Sequence, residues 1–338
     1  MTHAPSPARR KRILSGMRPT GKLHIGHLLG AIENWKHLQD DFDCFYMVAD
    51  WHALTTGYRR SADVKDEIRE IVLDYLAGGV DPERCTFYVQ SDVPEIAHLH
   101  LLLSMITPVG WLERVPTYKD QVEALGSDVA TYGFLGYPVL MTTDIIMFKA
   151  EVVPVGQDQV AHLELCREIV RRFNTLYRPV FPEPQPRLTR FAAVPGLDGR
   201  KMSKSYGNDL LISDPPEVIE KKMKTAITDP SRVYRRDPGR PELCTVYQYH
   251  KMYAAPEVQR EVFEGCRAGA LGCVDCKKKA AASVVAGLAP IQEKRRDLAE
   301  RPGVIEEMLS EGARRAREVA SATLEEARDA MGLARTRS

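Results

Sequence analysis

The sequence predicts an α/β protein in which a doubly wound parallel sheet is followed by a mostly α-helical region. In the first half of the chain, short apolar segments alternate with longer segments that have helical periodicity. This alternation is typical of parallel strands joined by crossover helices. After about residue 210 the chain is rich in Ala, Glu, Arg and Lys with helical spacing, and we expect no strand there. Its hydrophobic content of 44% and charged content of 28% are ordinary globular values.

The strand-like segments are short runs of apolar, aromatic and β-branched residues: Ile13–Ser15, Cys44–Ala49, Thr86–Gln90 and Val152–Val155. The helical segments have apolar residues at spacings of three and four: Ile25–Leu38, Val64–Leu76 and Val160–Leu176. A further helix is expected to start at Asp214 as its cap, with Pro215 in its first position, and to end near Ile227. In folds of this kind, ligands bind beyond the carboxyl ends of the strands.

Charge and cysteine content exclude several classes of protein. The 338 residues contain 47 Lys and Arg against 46 Asp and Glu, which gives a net charge of +1. This balance argues against a strongly basic nucleic-acid coat, although local basic patches are still allowed. The 7 cysteines are too sparse for a secreted disulfide scaffold. No apolar run approaches the ~18 residues of a membrane span, so we expect a cytoplasmic protein with no membrane partner.

Three regions follow from these patterns. Residues 1–12 form a basic arm without the apolar stretch of a secretory signal, and we expect this arm to be disordered. Residues 13–212 are predicted to form the α/β domain. Residues 213–338 are predicted to form the helical region.

The first motif lies where the first strand-like segment passes into a helix. Residues Pro19–His27 read PTGKLHIGH, which places His24 and His27 on one face at the start of the helix. The unpaired backbone N–H groups at this position favour a phosphate group. Gly26 would let a nucleotide approach the backbone closely. A pair of ordinary surface histidines is the alternative interpretation of this motif.

The second motif is KMSKS, residues Lys201–Ser205, within a glycine-rich segment. Two lysines and two hydroxyls on a movable loop can act as a cationic clamp on a polyphosphate. An ordinary solvated loop is the alternative for these five residues by themselves.

The sequence HIGH (His24–His27, here called the HIGH block) lies near the first strand, and the KMSKS block follows much later in the chain. Together these two blocks resemble the class I aminoacyl-tRNA synthetases. The segments SGMRPTGKLHIGHLLGA, ADWHALTT, YPVLMTTDI, VPVGQDQ and KMSKSYGN are similar to the tryptophanyl-tRNA synthetase family, and the similarity extends from Ile13 to Leu333. It implies a Rossmann-like catalytic domain and a helical anticodon-binding domain. It also implies a homodimer that joins L-tryptophan to tRNA(Trp) with ATP and Mg²⁺ through a tryptophanyl-adenylate.

The resemblance also implies site residues. Asp144 would accept a hydrogen bond from the indole N–H, Met141 would pack on the indole face, and His52 and Gln159 would complete the tryptophan pocket. An aspartate could equally accept from a tyrosine hydroxyl, so Asp144 alone does not separate the two amino acids. His24, His27, Lys201 and Lys204 would be the catalytic residues.

The implied ATP-binding set is larger and is drawn from both motifs and the VPVGQDQ segment: Arg18, Pro19, Thr20, Gly26, His27, Gly156, Gln157, Asp158, Val194, Lys201, Met202, Ser203, Lys204 and Ser205. Within this set, Asp158 would hold the ribose hydroxyls. The sequence departs from many bacterial members, which have Gln at the position of Arg18 and Thr and Asn at those of His24 and His27. The role of Arg18 toward the phosphates can therefore differ from that of Gln.

Four of the seven cysteines are close together in sequence. Cys244, Cys266, Cys273 and Cys276 have the spacing C-x21-C-x6-C-x2-C, which suits a zinc ion or a 4Fe–4S cluster. Zinc ribbons usually have two short CxxC segments, and this pattern has only one, which favours the 4Fe–4S cluster. Zinc and a metal-free site are alternatives. A subset of the synthetases that the chain resembles binds a 4Fe–4S cluster, and by that resemblance all four are its ligands. The other three, Cys44, Cys85 and Cys166, are expected to be core residues.

Basic residues lie near this cysteine group in the sequence, and we expect Lys277–Lys279, Arg232, Arg235 and Arg236 to form one surface of the anticodon-binding region. Three functional alternatives stay open at this point: a tyrosine–tRNA ligase, a non-catalytic tRNA-binding paralogue, and a small-molecule nucleotidyltransferase. Intact HIGH and KMSKS blocks argue against the paralogue. The long basic helical region argues against the nucleotidyltransferase.

Overall fold

A five-stranded parallel sheet is at the centre of the molecule. The computed structural model describes residues 9–115, 118, 122–123, 126–188 and 194–333. Its strands are β1 (Arg12–Met17), β2 (Asp43–Val48), β3 (Cys85–Val89), β4 (Val152–Val155) and β5 (Gln185–Leu188). Their order in the sheet is β3-β2-β1-β4-β5, and all neighbours pair in parallel. The order reverses between β1 and β4, so the ligand-binding crevice of a doubly wound fold is expected there.

Helices surround the sheet and continue to the C-terminal part of the chain. In order they are α1 (Ile25–His27), α2 (Glu33–Asp41), α3 (Asp50–Gly57), α4 (Val64–Gly78), α5 (Glu95–Ser104), α6 (Val109–Glu113), α7 (Tyr132–Leu135), α8 (Tyr137–Met147), α9 (Val160–Leu176), α10 (Pro216–Thr225), α11 (Thr245–Tyr253), α12 (Pro256–Arg267), α13 (Cys273–Ala299) and α14 (Pro302–Ala330). A π-helical segment, Leu28–Ile32, joins α1 to α2. Short 3₁₀ segments follow β3 and β4 at Gln90–Asp92 and Gln157–Gln159.

Both faces of the sheet are buried, because helices cover each of them. Successive strand residues contribute to different clusters: Ile13 and Tyr46 belong to one, whereas Leu14 and Phe45 belong to the other. This alternation follows from the period of two in a β-strand. It explains why the strands read as continuous apolar runs in the sequence.

The predicted doubly wound parallel fold is confirmed, with differences at particular elements. Strand Val152–Val155 and helix Val160–Leu176 have the predicted bounds. Strand β5 was not predicted, because its four residues are all exposed and give no apolar pattern. The predicted cap at Asp214 is wrong: helix α10 begins at Pro216, and the Asp214 carboxylate instead accepts from the Leu211 N–H and from Lys222 Nζ.

The C-terminal helix α14 returns to the sheet and packs on edge strand β3. A Cβ at Gly312 would overlap the carbonyl oxygen of Phe87, so glycine permits this close approach. Ala316 and Ala320 on the same helix are fully buried. A helix on this edge shields unpaired strand groups from other chains.

In the part of the chain after β5 that the structure describes, we observe helices and isolated bridges but no further strand. The described helices also include none that is long and apolar enough to cross a membrane. The boundary between residues 212 and 213 stays a prediction, as does the disorder of the basic arm, of which residues 1–8 lie outside the described part.

Candidate active site

The HIGH block lies between β1 and the segment that follows KMSKS. Its backbone is held from that segment: the Ile25 N–H donates to the Leu210 carbonyl at 2.9 Å, and the Ile212 N–H donates to the Leu23 carbonyl at 2.9 Å. His24 and Leu211 thereby form an isolated antiparallel bridge. The two motifs, far apart in sequence, are tied together by their backbones.

The two histidines of this block stack against each other. His24 is the N-cap residue of α1, and the centroids of its ring and that of His27 are 3.8 Å apart. Burial, together with the charges of Lys201 and Lys204, lowers the pKa of His24 to about 4 and that of His27 to about 3. Both imidazoles are therefore neutral at pH 7, and a neutral imidazole has one N–H donor.

The KMSKS loop contacts the segment that precedes His24 through Lys204. Its Nζ donates to the carbonyl oxygens of Lys22, at 3.0 Å, and of Thr20. Burial lowers the pKa of Lys204. Met202 is buried and anchors the loop, while Lys201 is exposed. Carbonyl oxygens thus hold a lysine charge beside the two imidazoles.

The remaining residues of the predicted ATP set lie in the same region. Gly26 faces the His24 ring, and a Cβ there would lie 2.9 Å from two ring atoms, so a side chain would displace the imidazole. Val194 is buried, and its carbonyl oxygen accepts from the Met202 N–H at 3.2 Å. The Ser203 hydroxyl accepts from the Ser205 N–H at 3.3 Å.

Some members of that set are exposed or incompletely described. Arg18 and Thr20 are exposed, whereas Pro19 between them is buried. Gln157 begins the 3₁₀ segment after β4. The side chain of Asp158, the predicted ribose ligand, lies outside the described part of the structure.

A cavity of about 440 Å³ opens at the switch point between β1 and β4. This volume lies within the range of roughly 300–1,000 Å³ that is usual for small-molecule sites. The sequence-predicted residues that line it are Arg18, His52, Met141, Asp144, Gly156 and Gln159. The cavity therefore collects all four predicted tryptophan-binding residues and two of the predicted ATP-binding residues.

Asp144 is the buried charge of this cavity. It is fully enclosed, and its Oδ2 lies 2.8 Å from His52 Nε2. Gln90 Nε2 donates to Oδ1 at 2.8 Å and to Oδ2 at 3.0 Å. Burial raises the pKa of Asp144, while His52 and Gln90 act against that rise. Since a carboxylate has about four lone-pair positions, these contacts leave capacity for a further donor.

Gln90 was missed from the sequence. It directly follows β3, as helix α3 with His52 follows β2, and both residues therefore lie at the carboxyl edge of the sheet. The position of Gln90 at the end of a predicted strand was a signal that could have identified it.

This geometry can now be compared with known proteins. Residues 6–289 match the family described as tRNA synthetases class I (W and Y). The chain belongs to this family of class I tRNA synthetases. Its expected resemblance to class I enzymes is confirmed at this level.

Relatives of this synthetase chain share nearly its whole length. It is 53% identical to the tryptophan–tRNA ligase of Thermotoga maritima over 95% of this chain and 99% of that protein. It is 43% identical to the tryptophan–tRNA ligase of Aquifex aeolicus over 95% of this chain and all of that protein. The crystal structure of Campylobacter jejuni tryptophanyl-tRNA synthetase, complexed with ADP and tryptophan, matches with a TM-score of 0.89 and 34% identity over 95% of this chain and all of that one.

The four cysteines of the C-x21-C-x6-C-x2-C pattern in this synthetase chain lie at or within helices α11, α12 and α13. Cys244, Cys266 and Cys276 are buried, and Cys273 is partly exposed. Burial, together with the charges of the other three thiols, raises the pKa of the Cys276 thiol to about 12. Within the described ranges, no group of three or more His, Cys, Asp or Glu side chains is placed to hold a metal ion. The predicted 4Fe–4S or zinc site is therefore not shown.

Arg232 and Arg235 of the basic loop at residues 231–240 contact residues at or just before the start of α13. The single basic surface expected of Arg232, Arg235, Arg236 and Lys277–Lys279 stays a prediction. Arg232 Nη2 donates to the Leu271 carbonyl at 2.6 Å, and Arg235 lies 3.6 Å from Asp275. Lys277 and Lys279 contact other elements, through the Lys224 carbonyl and Glu261. Cys44, Cys85 and Cys166 are buried core residues, as predicted.

Proposed function

We propose that this class I synthetase chain is an ATP-dependent tryptophan–tRNA ligase. The observation that carries the proposal is the cavity at the switch point, whose polar anchor is the fully buried Asp144 carboxylate. The loop that lines this cavity at Arg18 continues to His24. Lys204 of the KMSKS block contacts this loop at the carbonyl oxygens of Thr20 and Lys22. An amino-acid pocket and a phosphate-binding region are therefore adjacent. The near-complete overlap with tryptophan–tRNA ligases supports the choice of amino acid.

The first step joins tryptophan to the nucleotide. A carboxylate oxygen of tryptophan attacks the α-phosphorus of Mg²⁺-bound ATP in line with the bond to the β-phosphate. The new bond is the mixed anhydride of tryptophanyl-adenylate, and the bond to pyrophosphate breaks. Negative charge accumulates on the leaving pyrophosphate, so preorganised donors at that position lower the barrier.

Residues of this chain supply those donors. Lys204 and Lys201 stabilise the charge of the pyrophosphate, and the neutral His24 and His27 each donate one hydrogen bond to phosphate oxygens. Asp144 accepts the indole N–H and so fixes the tryptophan ring. The contacts of Asp144 with His52 and Gln90 support this role, because both act against the rise that burial causes in the pKa of Asp144.

The second step transfers tryptophan to tRNA(Trp). A terminal ribose hydroxyl, the 2′ position by class I resemblance, attacks the carbonyl carbon of the adenylate, and AMP leaves. The basic loop around Arg232 and the helices that follow it are candidates for tRNA contact. We also propose that the active form is a homodimer and that it works in the cytoplasm.

The test is pyrophosphate exchange in the presence of tryptophan or tyrosine. We expect exchange with tryptophan and little with tyrosine. Exchange with tyrosine would favour the tyrosine–tRNA ligase alternative. The absence of exchange with either amino acid, in protein that still binds tRNA, would favour the non-catalytic paralogue.

For the cysteine group we propose a 4Fe–4S cluster held by Cys244, Cys266, Cys273 and Cys276. Cys244 and Cys276 belong to the same cluster of buried side chains, which supports their proximity. Such a cluster would stabilise the region around α13 and the basic loop. Anaerobic purification should give about four iron and four sulfide per chain. A colourless protein with one zinc would contradict the cluster, and Cys276→Ser should abolish iron binding while Cys166→Ser should not.

A further inference from the structure

The long helix α13 contacts the catalytic region through two adjacent side chains. Arg295 Nε donates to Oδ1 of Asp74 on α4 at 2.7 Å, and its Nη2 contacts Glu70. Gln292, three residues earlier and on the same helical face, donates to the carbonyl oxygens of Ile212 and Asp214 at 2.8 and 2.9 Å. One helical turn thus reaches both a buried carboxylate and the segment after KMSKS.

The buried carboxylate in turn holds the HIGH block. Oδ2 of Asp74 accepts the Leu23 N–H at 2.7 Å, and Asp74 is completely inaccessible to solvent. Leu23 immediately precedes His24. The Leu23 carbonyl accepts the Ile212 N–H at 2.9 Å, and Ile212 is the residue whose own carbonyl Gln292 binds. Leu23 is therefore fixed on both of its polar groups, and both connections end on the same turn of α13.

We infer that Asp74 and Arg295 are positioning residues for the ATP site, acting through the Leu23 N–H on the two histidines. This inference rests on the proposed function. It concerns the affinity for ATP and kcat/KM for ATP, and not the choice of amino acid. A buried carboxylate without its cationic partner is strongly destabilised, so Asp74 needs Arg295 to stay ionised and in place. Oδ1 of Asp74 binds Arg295 of α13 and Oδ2 binds the N–H of Leu23, so a shift of α13 would also move Leu23 and the neighbouring His24.

The geometry distinguishes this role from ordinary packing. Asp74 and Arg295 are not among the residues that line the tryptophan cavity, whereas the loop that Asp74 holds also contains Thr20 and Lys22, the two acceptors of Lys204. Glu70 lies 3.9 Å from Lys22 Nζ, which adds a second contact from α4 to the same loop. Displacing the loop should therefore disturb phosphate contacts and spare the indole pocket.

The experiment compares Arg295→Met, Arg295→Lys and Asp74→Asn with the control Arg317→Met. Arg317 also joins a C-terminal helix to a catalytic-region helix, through Glu95 at 3.1 Å, but Glu95 lies on α5 and not on α4, the helix whose Asp74 holds Leu23. The measurements are thermal unfolding, tryptophan affinity, affinity for a non-hydrolysable ATP analogue without amino acid, and pyrophosphate exchange.

We expect Arg295→Met to weaken analogue binding and to lower kcat/KM for ATP at least tenfold, with tryptophan affinity within twofold of wild type. Arg295→Lys should recover part of this loss, and Arg317→Met should leave both ATP parameters unchanged. In the double variant Asp74→Asn/Arg295→Met the losses should not add, because the two residues act as one unit. Equal losses for ATP and tryptophan, or unchanged ATP parameters in folded Arg295→Met, would overturn the inference.

Nucleotide affinity is measured without amino acid, so it separates this inference from the proposed function. A wild-type protein that binds the analogue but gives no exchange with tryptophan would count against the function alone. Selective loss of analogue binding in Arg295→Met would still support the positioning role.

Discussion

Oδ2 of Asp144 lies 2.8 Å from Nε2 of His52, in a site where the carboxylate has no exposure to solvent. An enclosed carboxylate is expensive to keep ionised, and burial indeed raises the pKa of Asp144. His52 and Gln90 offset that effect by donating hydrogen bonds to it. His52 and Gln90 therefore favour the form of Asp144 that accepts hydrogen bonds. Inside a cavity, a required hydrogen bond to such an acceptor can select one substrate over another.

Replacing Asp144 should impair tryptophan binding selectively. A hydrogen bond to a charged group contributes about 1.5–3 kcal/mol, so Asp144→Ala should weaken tryptophan affinity roughly 10- to 150-fold. Affinity for an ATP analogue should be unchanged. Titration calorimetry with each ligand checks this, and Asp43→Ala, at a partly exposed carboxylate at the start of β2, is the control. An equal loss of affinity for tryptophan and for the ATP analogue would indicate general misfolding instead.

Gln90 should tune the same carboxylate. Removing its amide in Gln90→Leu takes away a donor that holds the pKa of Asp144 down, so that pKa should rise. Tryptophan affinity should then decline at a higher pH, on acidification, than in the wild type. Affinities measured across a pH series show the shift. Identical pH profiles for the two proteins would mean that Gln90 has no electrostatic role.

The secondary-structure elements differ in how well they could be predicted from the sequence. The strands β2 and β4 were predicted from short runs of apolar and β-branched residues, and the helices α4 and α9 from apolar residues at spacings of three and four. Strand β5 has an exposed Gln-Pro-Arg-Leu sequence, so neither burial nor alternation marks it. The π-helical turn at Leu28–Ile32 interrupts a segment predicted as one helix, because i+3 and i+4 spacing does not distinguish the two.

The candidate site was predicted unevenly for a similar reason. The HIGH and KMSKS blocks are contiguous in sequence and were recognisable as motifs. Contacts such as Asp74 to Leu23 join residues 51 positions apart, and their pairing depends on how α4 packs beneath the loop. Such tertiary hydrogen bonds leave no periodic signal.

Lys204 should be needed for adenylate formation and not for amino-acid binding. Its Nζ is already directed to the loop that carries Thr20 and Lys22, beside the two histidines. Lys204→Ala should therefore lower the rate of pyrophosphate exchange by about two to three orders of magnitude, as for loss of a preorganised donor to developing charge. Tryptophan affinity should persist. Lys36→Ala, on an exposed face of α2, is the control, and wild-type exchange in Lys204→Ala would refute the assignment.

The two HIGH histidines should stay neutral well below neutral pH. Their pKa values of about 4 and about 3 lie below the ordinary 6.5, because burial disfavours the imidazolium. Imidazole nitrogen shifts, assigned with His24→Gln and His27→Gln, should therefore not change between about pH 8 and about pH 5.5. A midpoint near the ordinary value for either residue would contradict the burial argument.

Protein stability should follow from the same shifts. Below about pH 6.5 the unfolded chain binds protons at these positions, while the folded chain does not until about pH 4. The free energy of unfolding should therefore fall as the pH falls through this window. Urea unfolding at several pH values checks this, and the pH dependence should be smaller in the double variant His24→Gln/His27→Gln. An identical dependence in that variant would assign the effect to other groups.

The central claim is that this chain charges tRNA with tryptophan, and aminoacylation of total tRNA with labelled amino acid tests it most directly. With tryptophan, ATP and Mg²⁺, label should enter tRNA, and the charged species should be tRNA(Trp). With tyrosine under the same conditions, incorporation should stay at background. Tyrosine incorporation equal to or above that of tryptophan, or no incorporation of either by folded protein, would contradict the account.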